Sequence, residues 1–129
     1  MVTKSIVAKD AACNAVVDLI DQTSTGFYGW PSGRLQLYRS SDSSVIASLI
    51  CANPCFLSST DGTAMANPIN DATALIDGTA STFGFVNRDN VFVWGGGVGS
   101  DGSSELNLTS TFISTGTIVS VTSGQYIAP

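Results

Sequence analysis

The chain contains no histidine. That absence removes Ser-His-Asp and Cys-His nucleophilic catalysis, and every metal site that needs an imidazole. Charge is scarce as well: 12% of residues are Asp, Glu, Lys or Arg, about half the usual share. The five cations, Lys4, Lys9, Arg34, Arg39 and Arg88, are scattered against ten acids, for a net charge of −5. Neutralising phosphates takes clustered cations, so nucleic acid is not an expected partner. No apolar run approaches the roughly 18 residues of a membrane span. The stretch from Met1 to Asp10 has neither the apolar core nor the cleavage signature of a secretory signal.

Cysteine is limited to Cys13, Cys51 and Cys55. An odd number permits at most one disulfide within the chain. Two readings stay open. All three can be small buried hydrophobes of a protein made in a reducing cytosol; alternatively Cys13 or Cys55 joins a neighbouring subunit in a mature assembly. Three thiols without a fourth strong ligand make no zinc site within one chain.

What is present is an ordinary share of hydrophobic residues, 43%, set among Ser, Thr, Asn and Gly. A surface of hydroxyls and amides carries little like-charge repulsion and suits close packing in an assembly, although an edge-protected β monomer can look the same. At 129 residues one domain is expected, spanning 1–129, with about two-thirds of its unfolded surface buried.

The clearest pattern lies at Glu105 to Pro129. Leu106 and Leu108 alternate with Glu105, Asn107 and Thr109; Ser114-Thr115-Gly116 turns the chain; Thr117 to Ile127 runs through β-branched residues. This reads as the last hairpin of an all-β domain. Residues 6–20 read as the one helix. Ala8, Ala12, Ala15, Val16, Leu19 and Ile20 form its apolar stripe, with Lys9, Asp10, Asn14, Asp18 and Asp21 mostly opposite, Ser5 as N-cap and an exit at Thr23–Gly26.

Between these ends, Arg34–Tyr38 alternates as a strand, and Val45–Cys51 returns beside it, apolar enough on both parities to be central. Asp61-Gly62 is a turn before a short strand at Thr63–Ala66. Thr79–Asn87 and Asn90–Trp94 form a hairpin, followed by a glycine-rich loop through Gly95–Gly97 and Gly99–Ser104. The architecture expected is mainly β: a single antiparallel β-sandwich with one short N-terminal amphipathic helix and strands between about 34 and 127.

Chemistry is thin. The run Gly95–Ser100 has no Lys-Ser or Lys-Thr after it and opens no helix, so it is not a phosphate loop. Asp89-Asn90 and Asp101–Glu105 lack EF-hand spacing. No general base is visibly oriented by a second group. The expectation is no enzymatic activity, no cofactor and no metal. The residues singled out for contact are aromatic: Phe92 and Trp94, on a strand apolar on both faces, and Tyr28 and Trp30 in the loop Gly26–Gly33, which seal one end of the core or meet a partner.

The order of segments resembles small accessory virion structural proteins of tailed bacteriophages. The matching features are the helix, the Arg34–Tyr38 strand, the Asn-Pro-x-Phe element in Ala47–Phe56, Gly62–Ile69, the Asp77–Trp94 hairpin, and the Leu-Asn-Leu, Val-Ser-Val-Thr-Ser and terminal Pro of Glu105–Pro129. The cysteines and Phe27-Tyr28-Gly29-Trp30 depart from the pattern. The resemblance implies a non-enzymatic β-sandwich component present in many copies on the virion, made in the bacterial cytoplasm. Its partners would be other virion proteins and copies of itself. Capsid decoration is the leading role; a tail fibre, collar or baseplate piece is the alternative. A host-surface carbohydrate-binding module using Trp30, Tyr28 and Trp94 is the reading from another class.

Overall fold

A computed structural model describes residues 5–21, 32–101 and 104–127. Ser5 is extended and its hydroxyl accepts the Ala8 N–H at 3.2 Å, which caps helix α1, Ile6–Asp18. A single 3-10 turn, Leu19–Asp21, closes it. The buried face keeps Ile20 and Val16 of the expected stripe but not Ala8, Ala15 or Leu19. Cys13, Val17 and Ile20 are fully buried, whereas Ala8 and Ala15 are exposed and Leu19 is 47% exposed. The helix is rotated because three polar residues expected opposite the stripe face the β body instead. Asp10 Oδ1 accepts from the Ser59 hydroxyl and the Gly62 N–H, Asn14 Oδ1 from the Ser59 N–H, and Asp21 Oδ1 from the Cys55 N–H, all between 2.7 and 2.9 Å. The segment 55–62 needs acceptors for its backbone donors, and the helix supplies them.

Among the described residues ten strands follow: β1 Arg34–Arg39, β2 Val45–Ile50, β3 Thr63–Met65, β4 Ala72–Thr73, β5 Gly78–Val86, β6 Phe92–Gly99, β7 Leu106–Leu108, β8 Phe112–Ile113, β9 Ile118–Val119 and β10 Val121–Ile127. The main sheet runs β2-β1-β5-β6-β7-β10-β3, with β8 added to β5, and β4 pairs with β9. The protein is mainly β, as the sequence indicates, but the strongly curled sheet is mixed: β6 and β7 are parallel, at Val98–Leu106 and Gly99–Asn107. The mainly β fold with one helix is the expected one and a sandwich remains compatible with it; the sheet differs only in being mixed and half-barrel-like.

Two strand placements also differ from expectation. Despite its apolar character, β2 ends the sheet, and its outer edge is covered where Leu75 N–H reaches Ile46 O and Asn70 N–H reaches Ile50 O. The glycines after Trp94 are not a loop: β6 continues through Gly99, with Gly95 and Gly96 opposite Gly84 and Phe83. Glycine is required at 95, where a Cβ would stand 2.1 Å from the Phe83 carbonyl oxygen.

Directly paired residues share a face. One face of β2-β1-β5-β6 turns Leu49, Leu35, Phe85 and Trp94 inward, and α1 closes the core through Cys13, Val17 and Ile20. Phe85 stacks on Trp94 at 5.1 Å; Phe83 meets Trp94 edge-on at 5.3 Å, and Phe56 meets Phe85 edge-on at 5.1 Å. Each such ring contributes about 1.5–3 kcal/mol by burial alone, and edge-on geometry adds up to about 1 kcal/mol per pair.

Candidate assembly surface

The opposite face of the same strands carries Arg34, Gln36 and Tyr38 from β1, Gly84 from β5 and Phe92 from β6. Bare Gly84 leaves the space that two rings fill: a Cβ there would lie 2.9 Å from both the Phe92 ring and the Tyr38 hydroxyl oxygen. Phe92 lies against bare Gly84 and is 59% exposed. Beside it runs a row of polar groups. The Tyr38 hydroxyl donates to Gln36 Oε1 at 3.1 Å, Gln36 Nε2 and Arg34 Nη2 donate to Asn90 Oδ1, and Arg34 Nη1 donates to Ser48 Oγ at 3.4 Å. Asn90 sits in the left-handed region, φ 65°, at the end of the β5–β6 turn. The turn itself is fixed by Asn87 Oδ1, which accepts the Asp89 and Val91 N–H groups. Partial burial pulls the Arg34 pKa down and pushes the Tyr38 pKa up. The result is an apolar knob beside a pre-ordered polar row, the composition of a protein contact with its rim.

The sequence candidates divide. Phe92 is exposed as expected. Trp94 is 8% exposed and belongs to the core, so its place on a contact surface is corrected: the β5–β6 pairing puts it opposite Phe85, inward. Tyr28 and Trp30 lie outside the described residues.

Cys13 and Cys55 are both fully buried with free thiols, so neither can reach another subunit's sulfur while the helix stays seated. The Cys13 Sγ contacts the Tyr126 carbonyl at 3.8 Å. The Cys55 thiol lies against Cys51, and that contact first, then burial, then the charges of Cys51 and Asp21 push its pKa up, away from the reactive thiolate. Asp21, in the 3-10 turn after α1, accepts the Cys55 N–H and so ties the helical segment to this cysteine pair. Among the described residues no group of three or more Cys, Asp or Glu is placed to hold a metal, and no helix is long and apolar enough to cross a membrane.

Sequence reasoning missed a second apolar patch. Phe112 of β8 and Ile118 of β9 are largely exposed and border a groove with Ile113 and Thr117. Leu75, also exposed, follows Ala74, whose N–H and C=O bind Thr117 O and Gly116 N–H. Period-two alternation was too short to read there, since β8 and β9 have two residues each. No protein family, curated protein or solved structure matches the chain.

Proposed function

We propose that this chain is a non-enzymatic structural component of a tailed-phage virion, assembled in many copies, with capsid decoration as its role. The observation that supports it best is Phe92. A large ring stands exposed on the regular outer face of a sheet, beside side chains already ordered by hydrogen bonds, which lowers the entropy lost on docking. The exposed Phe112–Ile118–Leu75 patch offers a second contact, as a subunit with neighbours on two sides needs. The low charge of the chain fits such crowding.

A carbohydrate-binding module is less well supported. Of the three rings it would use, Trp94 is committed to the core. The deciding experiment is purification of particles followed by quantification of this chain and localisation of its density. Stoichiometric copies on the head support decoration; copies confined to the tail move the chain to a fibre, collar or baseplate; absence from particles ends the virion reading.

A further inference from the structure

Strands β8 and β9 follow one another across a turn, where Thr117 donates its N–H and its hydroxyl to the Ser114 carbonyl at 3.1 and 2.6 Å. Instead of pairing with each other, β8 pairs with β5, Ile113 opposite Gly78 and Phe112 opposite Thr79, and β9 pairs with β4. Each arm is held by a different neighbour, and the space between them is a groove of about 230 Å³. Buried Ile113 and Val119 lie at its base, and largely exposed Phe112 and Ile118 form its rims. None of the described residues that line it is charged.

Strand β5 relates this groove to Phe92. Phe112 stands opposite Thr79 near the start of β5, and Phe92 opposite Val86 at its end. Seven residues of strand separate the two, about 23 Å at roughly 3.3 Å per residue. One molecule therefore carries an apolar projection toward one end of β5 and an apolar recess toward the other. The two match in size. A dry apolar cavity of about 150 Å³ admits a benzene molecule, so a recess of about 230 Å³ has room for the Phe92 ring. They match in charge as well. The Phe92 end carries Arg34, bonded to Asn90, with Arg88 and Asp89 in the β5–β6 turn: two cations to one acid. At the turn end of the groove, Asp77 Oδ1 accepts the Thr115 N–H, and Arg39 donates to the Asp77 carbonyl while paired with Asp42: one cation to two acids.

We propose that the groove between β8 and β9 is the seat for Phe92 of a second copy of this chain, so that copies join head to tail. The contact uses two different patches of one surface. Each pair of copies therefore keeps one unused patch at either end, and association continues into a ring or an open run instead of stopping at a dimer. The opposite charges around the ring and the groove set the direction of docking. Each patch is small, so the contact is weak between free molecules and becomes effective where a particle holds many copies side by side. This pairing rests on the assembly reading above, to which it adds the partner of both apolar surfaces.

The test is sedimentation equilibrium of the purified chain up to about 1 mM, the range of a weak contact, on wild type, Phe92→Asp, Ile118→Asp and an equal mixture of the two variants. Both positions are more than half exposed, and unchanged melting curves establish that the variants fold; Phe112→Ser replaces Ile118→Asp if the latter does not. Wild type gains mass with concentration, and each variant alone stays monomeric. The mixture forms a dimer and stops there, because Phe92 of the Ile118→Asp chain enters the intact groove of the Phe92→Asp chain and both remaining patches are spoiled. A monomeric wild type, or a mixture that stays monomeric, would overturn the proposal. So would association of Ile118→Asp alone, which would seat Phe92 elsewhere than the groove, or of Phe92→Asp alone, which would fill the groove with something else. A mixture that dimerises while the chain is absent from particles would refute the virion reading and leave the contact standing. A chain present on particles whose mixture stays monomeric would do the reverse.

Discussion

The Asp10 carboxylate of α1 accepts the Gly62 N–H at 2.7 Å, at a turn where Asp61 and Gly62 both take left-handed φ values. That bond, with the one from Ser59, holds the Asp10 pKa below its ordinary 3.8. Asp77 is lowered by the Thr115 N–H and hydroxyl, and Asp42 by Arg39 and Ser44. A carboxylate whose folded pKa is depressed contributes stability above its unfolded value and loses it as pH falls through the folded one. Asp21 works the other way, since burial raises its pKa and protonation relieves that penalty. Three depressed carboxylates outnumber one raised. Melting temperature should therefore fall as pH drops below about 4, and Asp10→Asn should flatten that fall. A melting curve independent of pH in this window would contradict the assignment.

The helix separates two neighbours that its expected apolar stripe groups together, Ile20 inward and Leu19 half exposed. Ile20→Ala should cost about 2–5 kcal/mol in chemical denaturation, as a fully buried branched side chain does. Leu19→Ala, next to it and half exposed, should cost less than about 1 kcal/mol. Equal losses at the two positions would mean that the helix packs on its other face.

Two glycines two residues apart on β6 should respond differently to alanine. At Gly95 the new methyl would strike the Phe83 carbonyl, so Gly95→Ala should destabilise by about 1–3 kcal/mol or more. At Gly97 a Cβ meets nothing within 4 Å, and Gly97→Ala should be within about 0.5 kcal/mol of neutral. Comparable urea midpoints for both variants would show that Gly95–Gly97 is a loop, not strand.

The thiols should be silent in the folded protein. Cys13, Cys51 and Cys55 are buried, so alkylation of native protein should be slow and become complete only in denaturant. Non-reducing electrophoresis after thiol trapping should show monomer. A dimer band lost on Cys13→Ser or Cys55→Ser would restore the inter-subunit bond.

How far the sequence carried can be seen at particular residues. Strong local grammar was legible: the Ser5 cap, the Asp61-Gly62 turn, the Arg34–Tyr38 alternation, and the pairing of β7 with β10 inside the final stretch. What misled was the use of hydrophobicity for position. Asn107 looked like a wet-face residue, yet it is buried, with its amide bonded to the Ser104 carbonyl and the Ser123 hydroxyl. Asp10 and Asn14 looked solvent-facing because no periodicity records that a distant loop needs acceptors. Trp94 and Phe92 looked equivalent, and only the β5 register, with its irregularity between Phe85 and Val86, separates the inward ring from the outward one.

The central claim is that the outward ring docks this chain on a particle. Its most direct test is competitive incorporation of wild-type and Phe92→Asp protein into assembling particles, with folding of the variant confirmed by an unchanged melting curve. Phe92 is more than half exposed, so the fold should survive, while a buried charge at the contact should reduce incorporation at least about tenfold. Incorporation of folded Phe92→Asp at the wild-type level would contradict the account.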